Sequence, residues 1–233
     1  MKERYIRNSN TISPEENEKL KTFRVLVAGC GGLGGFIIEE LGRMGIGSIT
    51  AVDGDVFDAS NLNRQLLSTE ALLGSAKAEA AKLRMQAVNS EIEVVPHVTF
   101  INKENCAALL EGHDLVVDAL DSISVRLLLE DCCAMQKIPL IHGAIAGWYG
   151  QVTTVFPGDQ TLHRLYPLDP KTGAPQSEKG AEMNLGNPSF TPAVVASIET
   201  AEAIKVLLGK ESVLKNRLLT IDLLEQEYEI IGL

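Results

Sequence analysis

The run RVLVAGCGGLGGFIIEELGRMGIGSITAVD, residues 24–53, limits the fold more than any other stretch of the chain. An apolar strand breaks into Gly29, Gly31, Gly32 and Gly34, which satisfy G-x-G-x-x-G. Apolar residues at helical spacing follow, then a second strand closed by Asp53. Glycines at such a turn leave bare backbone N–H groups and a helix N-terminus facing whatever lies above, a natural seat for a phosphate. The unit reads as βαβ, and the remaining strands alternate with helices of ordinary length. That pattern predicts an α/β fold: a doubly wound, Rossmann-like, mostly parallel sheet whose ligands sit at the carboxyl ends of its strands.

Ser13-Pro14-Glu15-Glu16 is a capping box with proline at the first helical position, so a short helix should run to about Lys21. The ten residues before it look like an arm. Residues 1–22 are thus expected as arm plus helix, and 23–233 as a single domain. Between Ser68 and Asn89 the stretch ALLGSAKAEAAKLRMQAV has a helical period. EIEVVPHVTF reads as a strand, NKENCAALLEG as a short helix and DLVVDAL as a buried strand, with Ser124 expected to cap a helix reaching about Gln136. PLIHGAIAG is extended, and QVTTVF is a strand with an antiparallel neighbour. Residues 158–188 form a long crossover loop without periodicity, of a length that marks either a lid or disorder. After it come a helix, TPAVVASIETAEAIKVLLG, and RLLTIDLLEQEYEII as one bent strand or a hairpin.

A net charge of −10 makes nucleic acid a poor first guess as partner. No run approaches the roughly twenty apolar residues of a membrane span, and the polar, basic N-terminus is no secretory signal, so a cytoplasmic location is expected. The four cysteines include no Cys-x-x-Cys pair, and Cys132 and Cys133 fall in a helix where burial is the simplest role.

Asp53 is placed to accept hydrogen bonds from ribose hydroxyls, which an NAD enzyme and an ATP enzyme would both use. The next segment, DGDVFDASNLNRQ, separates the two by bringing Asp55, Asn61, Arg64 and Gln65, with Lys77 at the start of the following helix. A dehydrogenase has no need of cations there. A triphosphate does: an arginine fork and a lysine point charge hold its outer phosphates and stabilise departing pyrophosphate. Asp118 and Asp121 close the apolar strand LVVDALD, where carboxylates beside a triphosphate invite Mg²⁺. Asp121 lies further out and is the better metal ligand; Asp118 fits equally a helix-capping role. His142 is either a polar contact of the site or a core histidine. Trp148 and Tyr149, flanked by glycines, form a protein-contact patch or pack inside.

Together GCGGLGG, Asp53, SNLNRQ, Lys77, DALDS, IPLIHGAIAGWYGQVTTVF and EAIKVLLG resemble the ThiF/MoeB/HesA adenylyltransferases, relatives of the ubiquitin-activating enzymes. The resemblance runs from about Arg4 to the C-terminus. It implies ATP-dependent, magnesium-assisted adenylation of the C-terminal glycine carboxylate of a β-grasp carrier protein ending in Gly-Gly, with release of pyrophosphate. By motif, Gly32 and Asp53 would contact nucleotide, Asn61, Arg64 and Lys77 the ribose and phosphates, and Asp121 the metal. The nucleotide-contact set is Gly29, Gly31, Gly32, Gly34, Asp53, Asp55, Ser60, Asn61, Gln65 and Ser122, the last standing where many members have Asn. Arg4-Tyr5-Ile6-Arg7 matches an RY-x-R segment whose arginine reaches the partner's triphosphate, which implies a homodimer with Arg7 acting in trans. The two Cys-x-x-Cys zinc pairs common in the family are missing, with Thr161 and Arg164 where the first should fall, so zinc is expected to be absent. Residues 158–188 also lack the loop cysteine many members use. Competing readings are a tRNA-modifying dehydratase of the same superfamily, disfavoured by the acidic charge, and an NAD-dependent oxidoreductase, which leaves Arg64 and Lys77 unexplained.

Overall fold

The computed structural model describes residues 2–233. Its sheet has eight strands: β1 (Arg24–Ala28), β2 (Ser48–Val52), β3 (Glu93–His97), β4 (Leu115–Asp118), β5 (Leu140–Ala146), β6 (Tyr149–Val155), β7 (Arg217–Asp222) and β8 (Glu227–Gly232). Their order is β3-β2-β1-β4-β5-β6-β7-β8. The first five run parallel, and β6, β7 and β8 add on in antiparallel fashion. The final segment is therefore a hairpin.

The helices are α1 (Pro14–Leu20), α2 (Gly32–Met44), α3 (Lys77–Val88), α4 (Cys106–Leu110), α5 (Ile123–Gln136), α6 (Thr161–Leu165), α7 (Glu182–Leu185) and α8 (Phe190–Leu208). Strand side chains alternate between the faces. Val25, Val27, Ile49 and Ile141 join one core with α2, α3 and α8, while Leu26, Ala28, Val116 and Leu140 join the other with α4 and α5. The cysteines lie in these cores, all four of them buried and free.

Local signals and tertiary packing part company at four places. Residue 1 of the expected arm lies outside the described residues, and residues 2–10 are not a loose arm: Glu3–Asn8 form a 3-10 turn and Tyr5 is buried. Its hydroxyl accepts a bond from Asn89 (2.8 Å), whose amide also donates to the Gly42 carbonyl. Lys77 opens α3 as expected, but the helical period read from Ser68 is broken before it by a 3-10 turn at Glu70–Leu72 and by Gly74, which adopts a left-handed φ of +81° and donates to the Phe57 carbonyl (2.8 Å). Ser122, not Ser124, caps α5, accepting from the Val125 N–H. The long loop is also partly ordered by its own two short helices, α6 and α7.

Candidate functional site

β1 pairs with β2 on one side and β4 on the other, so the chain reverses its direction of sheet growth at the β1/β4 boundary. A crevice opens at such a point, beyond the carboxyl ends of the strands. Here it is a cleft of about 410 Å³, well within the range of small-molecule sites.

The floor of the cleft is the glycine turn. Gly29 has φ +97°, and a Cβ there would lie 2.7 Å from the Ala119 carbonyl oxygen. One on Gly34 would meet the Gly29 oxygen at 1.8 Å, so Gly34 serves the close packing of helix against turn and does not line the cleft. Gly31 caps α2 without a side-chain acceptor, which leaves the first N–H groups of that helix open to an anion. Asp53 braces the turn, its two oxygens accepting from Cys30 N (2.7 Å) and Asp55 N (2.8 Å). Burial pushes the Asp53 carboxyl above its usual range, against the pull of those N–H groups and of Lys77.

Two cations face this floor. Lys77 is buried at the start of α3, with its ammonium 3.2 Å from Asp55. Arg64 donates through one guanidinium nitrogen to the Ser60 carbonyl (2.8 Å) and to Asn63 Oδ1 (2.9 Å), which leaves the rest of the fork available. Asn61, also lining the cleft, accepts from the Asp58 N–H and so holds the turn on which Arg64 rides. Gln65 is buried, and its Oε1 has no partner; Asn187 Oδ1, on the same cleft, has none either. One wall is apolar, made by Val52, Phe100, Ile101, Ala119 and Leu120. The Phe100 ring lies against Gly54, where a Cβ would come within 2.6 Å of it.

Asp121 lines the cleft with its carboxylate on the Lys179 ammonium. Asp118 points inward and is fully buried: it accepts from Leu120 N (3.0 Å) and faces His142 Nδ1 at 2.7 Å. Burial holds His142 below the ordinary imidazole range. A neutral ring fits both contacts, Nδ1–H donating to Asp118 and Nε2 accepting from the Tyr166 hydroxyl (3.1 Å). His142 is therefore a satisfied core histidine. Arg126, which sequence reasoning missed, donates twice to the Leu120 carbonyl and lines the cleft, fixing the turn that carries Asp121.

Of the expected residues, Gly29, Gly31, Gly32, Asp53, Asp55, Asn61, Arg64, Gln65, Lys77 and Asp121 meet at this cleft. Ser60 and Ser122 do not line it; Ser60 offers its carbonyl to Arg64 and Ser122 caps α5. Arg7 is exposed beside Tyr5, which packs on Gly45 just past the far end of α2. Thirteen residues of helix, about 20 Å, separate that end from the cleft of the same chain. Trp148 and Tyr149 are each 44% exposed, and Trp148 stacks on Phe190 with ring centroids 4.4 Å apart.

The residues fit the group the sequence implies. The ammonium of Lys179 on Asp121 marks a point that attracts a cation, and Glu182 brings a second carboxylate to the same cleft. One or two carboxylates plus phosphate oxygens is the donor set magnesium takes. At Thr161–Leu165, where the family's first cysteine pair should fall, the Glu130 carboxylate accepts from Leu162 N (2.9 Å) and His163 N (3.1 Å).

A model of the ThiF family matches residues 4–233. The chain is 34% identical over 232 residues to the SAMP-activating enzyme E1 of Haloferax volcanii, covering 98% of this chain and 84% of that one. It is 37% identical over 225 residues to the sulfur carrier protein adenylyltransferase of Thermus thermophilus, with 93% and 81% covered. Against the adenylyltransferase and sulfurtransferase MOCS3 of Anopheles gambiae it is 38% identical but spans only 46% of that longer protein. Among solved structures, E. coli MccB with ATP superposes at a TM-score of 0.79 with 24% identity, covering all of this chain and 72% of that one. That likeness bears on the fold alone. With a family match over nearly its whole length and relatives of this identity, the chain is an adenylyltransferase and belongs to the ThiF family.

Proposed function

We propose that this chain uses Mg²⁺ and ATP to adenylate the C-terminal glycine carboxylate of a small β-grasp carrier ending in Gly-Gly. One observation carries the reading: Arg64 and the buried Lys77 converge with an uncapped helix N-terminus on a single cleft at the switch point of the sheet. The names of the Haloferax and Thermus relatives, which refer to SAMP and sulfur-carrier proteins, support the substrate class.

In this mechanism the apolar wall with Phe100 takes the base, and the spare lone pairs of Asp53 take ribose hydroxyls. A carboxylate oxygen of the carrier attacks the α-phosphorus, and the bond from that phosphorus to the bridging oxygen breaks. The electron pair leaves with pyrophosphate. Arg64 and Lys77 stabilise the charge that builds there, in a site already shaped for it. Asp121 would hold magnesium, which when bound would supply further positive charge beside the phosphates. No protein nucleophile is needed. The exposed Trp148, Tyr149 and Phe190 offer the carrier an aromatic docking face. Arg7, too far from its own cleft, serves that of a two-fold partner. Four free thiols suit a reducing compartment such as the cytoplasm.

ATP–pyrophosphate exchange with candidate carriers ending in Gly-Gly, run beside NADH and NADPH titrations, tests the reading. Carrier-dependent exchange supports it. Dinucleotide binding without exchange, or exchange driven only by a carboxylate of another class, overturns it.

A further inference from the structure

The segment 178–183 of the long loop is tied to the cleft by two separate sets of contacts. Glu178 is bound to the N-terminus of α5: its carbonyl accepts from Ile123 N (3.0 Å), and its carboxylate accepts from the hydroxyls of Ser122 and Ser124. The next residue, Lys179, places its ammonium on Asp121, while Glu182 and Met183 line the same cleft. The first set does not involve Asp121. The second occupies the carboxylate otherwise free to meet a metal.

We propose that Lys179 is a place-holder for the metal at Asp121, so that the closed loop and a bound divalent cation compete for one carboxylate. This rests on the assignment of Asp121 to magnesium made above. Lys179 holds Asp121 Oδ2, and a divalent cation on either oxygen of the same carboxylate is repelled by the ammonium beside it, while Asp121, with its side chain 73% exposed, has no deeper set of partners to screen the two from each other. Arrival of the metal therefore expels Lys179, while Glu178 keeps the segment anchored to α5. The freed ammonium stays near the cleft as one more mobile cation for a polyanionic substrate. Metal affinity is thereby set by the loop as well as by the sheet.

The test is direct Mn²⁺ binding, followed by electron paramagnetic resonance, to the full chain with a saturating non-hydrolysable ATP analogue. Lys179→Gln should tighten Mn²⁺ binding about two- to fivefold, the range a half-exposed ion pair allows. Glu178→Ala, which removes the carboxylate part of the anchor and leaves the lysine in place, should move affinity in the same direction. Lys171→Gln, an exposed lysine of the same loop away from Asp121, should leave it unchanged. Unaltered or weaker Mn²⁺ binding in Lys179→Gln overturns the proposal, as does equal tightening in Lys171→Gln. Asp121→Asn separates the two levels: if it leaves Mn²⁺ binding intact, the metal assignment itself fails, whereas loss of binding with no effect of Lys179→Gln sinks only the place-holder.

Discussion

Arg64 and Lys77, to which we assign one task, are held in different ways. Lys77 is buried beside Asp55, whereas Arg64 leans on atoms of its own turn, the Ser60 carbonyl and Asn63. Removing Arg64 therefore leaves no buried group unpaired. Arg64→Ala should keep the parent's melting temperature while lowering pyrophosphate exchange by about 10³-fold or more, as with other arginines that stabilise phosphoryl transfer; near-native exchange would remove Arg64 from the machinery. Glu199 is the opposite case. It is fully buried in α8, neither carboxylate oxygen has a partner, and burial pushes its carboxyl well above the usual range. A group raised on folding contributes stability that is complete below its unfolded value, roughly 4.3, and is lost as pH rises toward the folded value. Relative to the parent, Glu199→Gln should gain stability as pH rises above the unfolded carboxyl value, read from urea midpoints across a pH series; a difference that stays flat with pH would refute this. Single residues were unequally legible in sequence. Arg64 and Lys77 follow the glycine turn closely enough to be read as a group, whereas Arg126, Lys179 and Asn187 arrive from distant segments and look, locally, like solvent-facing side chains. Asp118 and His142 could be read either way until their mutual contact was seen.

Elements were legible where the signal is local. The Ser13–Glu16 box forms as expected, with the Ser13 hydroxyl accepting from Glu16 N and Glu16 accepting from Ser13 N. The turn before α3 was not, because Gly74 and Ser75 are recruited by Phe57 in a way that no periodicity reports. α6 shows how an element is held when the family's cysteine pair is gone. Glu130 gathers the N–H groups of Leu162 and His163 beneath a buried contact with α5. Glu130→Ala leaves both donors unpaired and should cost about 1–3 kcal/mol, with faster amide exchange confined to α6 and the adjoining loop. Protein purified without a histidine tag should contain no stoichiometric zinc by elemental analysis; one zinc per chain would require a ligand set elsewhere in the molecule.

For the whole molecule, the net charge of −10 makes any triphosphate site an exception that must be assembled from local cations. Arg7, proposed above as one of those cations, lies with Tyr5 at the far end of α2 from its own cleft. The proposed two-fold dimer would bring it to the partner's cleft instead. Arg7→Ala and Arg64→Ala subunits, each inactive alone, should regain part of their activity when mixed, because one heterodimer site then holds both arginines. A monomer at working concentration, or a mixture that stays inactive although heterodimers form, would rule it out.

The reversal of the sheet at β1 has one more consequence. Val25 pairs with Leu115 and α2 packs on α8, so the first portion of the chain meets the rest along this strand seam and the helix pair that covers it. The glycine turn, Asp53, Arg64 and Lys77 lie before the seam, and Asp121, Arg126, Lys179 and Asn187 after it. Neither portion owns a binding site. A nucleotide in the cleft touches both and acts as a clasp across the seam, so its affinity is also resistance to the two portions coming apart. By mass action a ligand at a hundred times its dissociation constant adds about 2.7 kcal/mol to that resistance. Substrate supply and the lifetime of the folded chain are in this way one linked quantity.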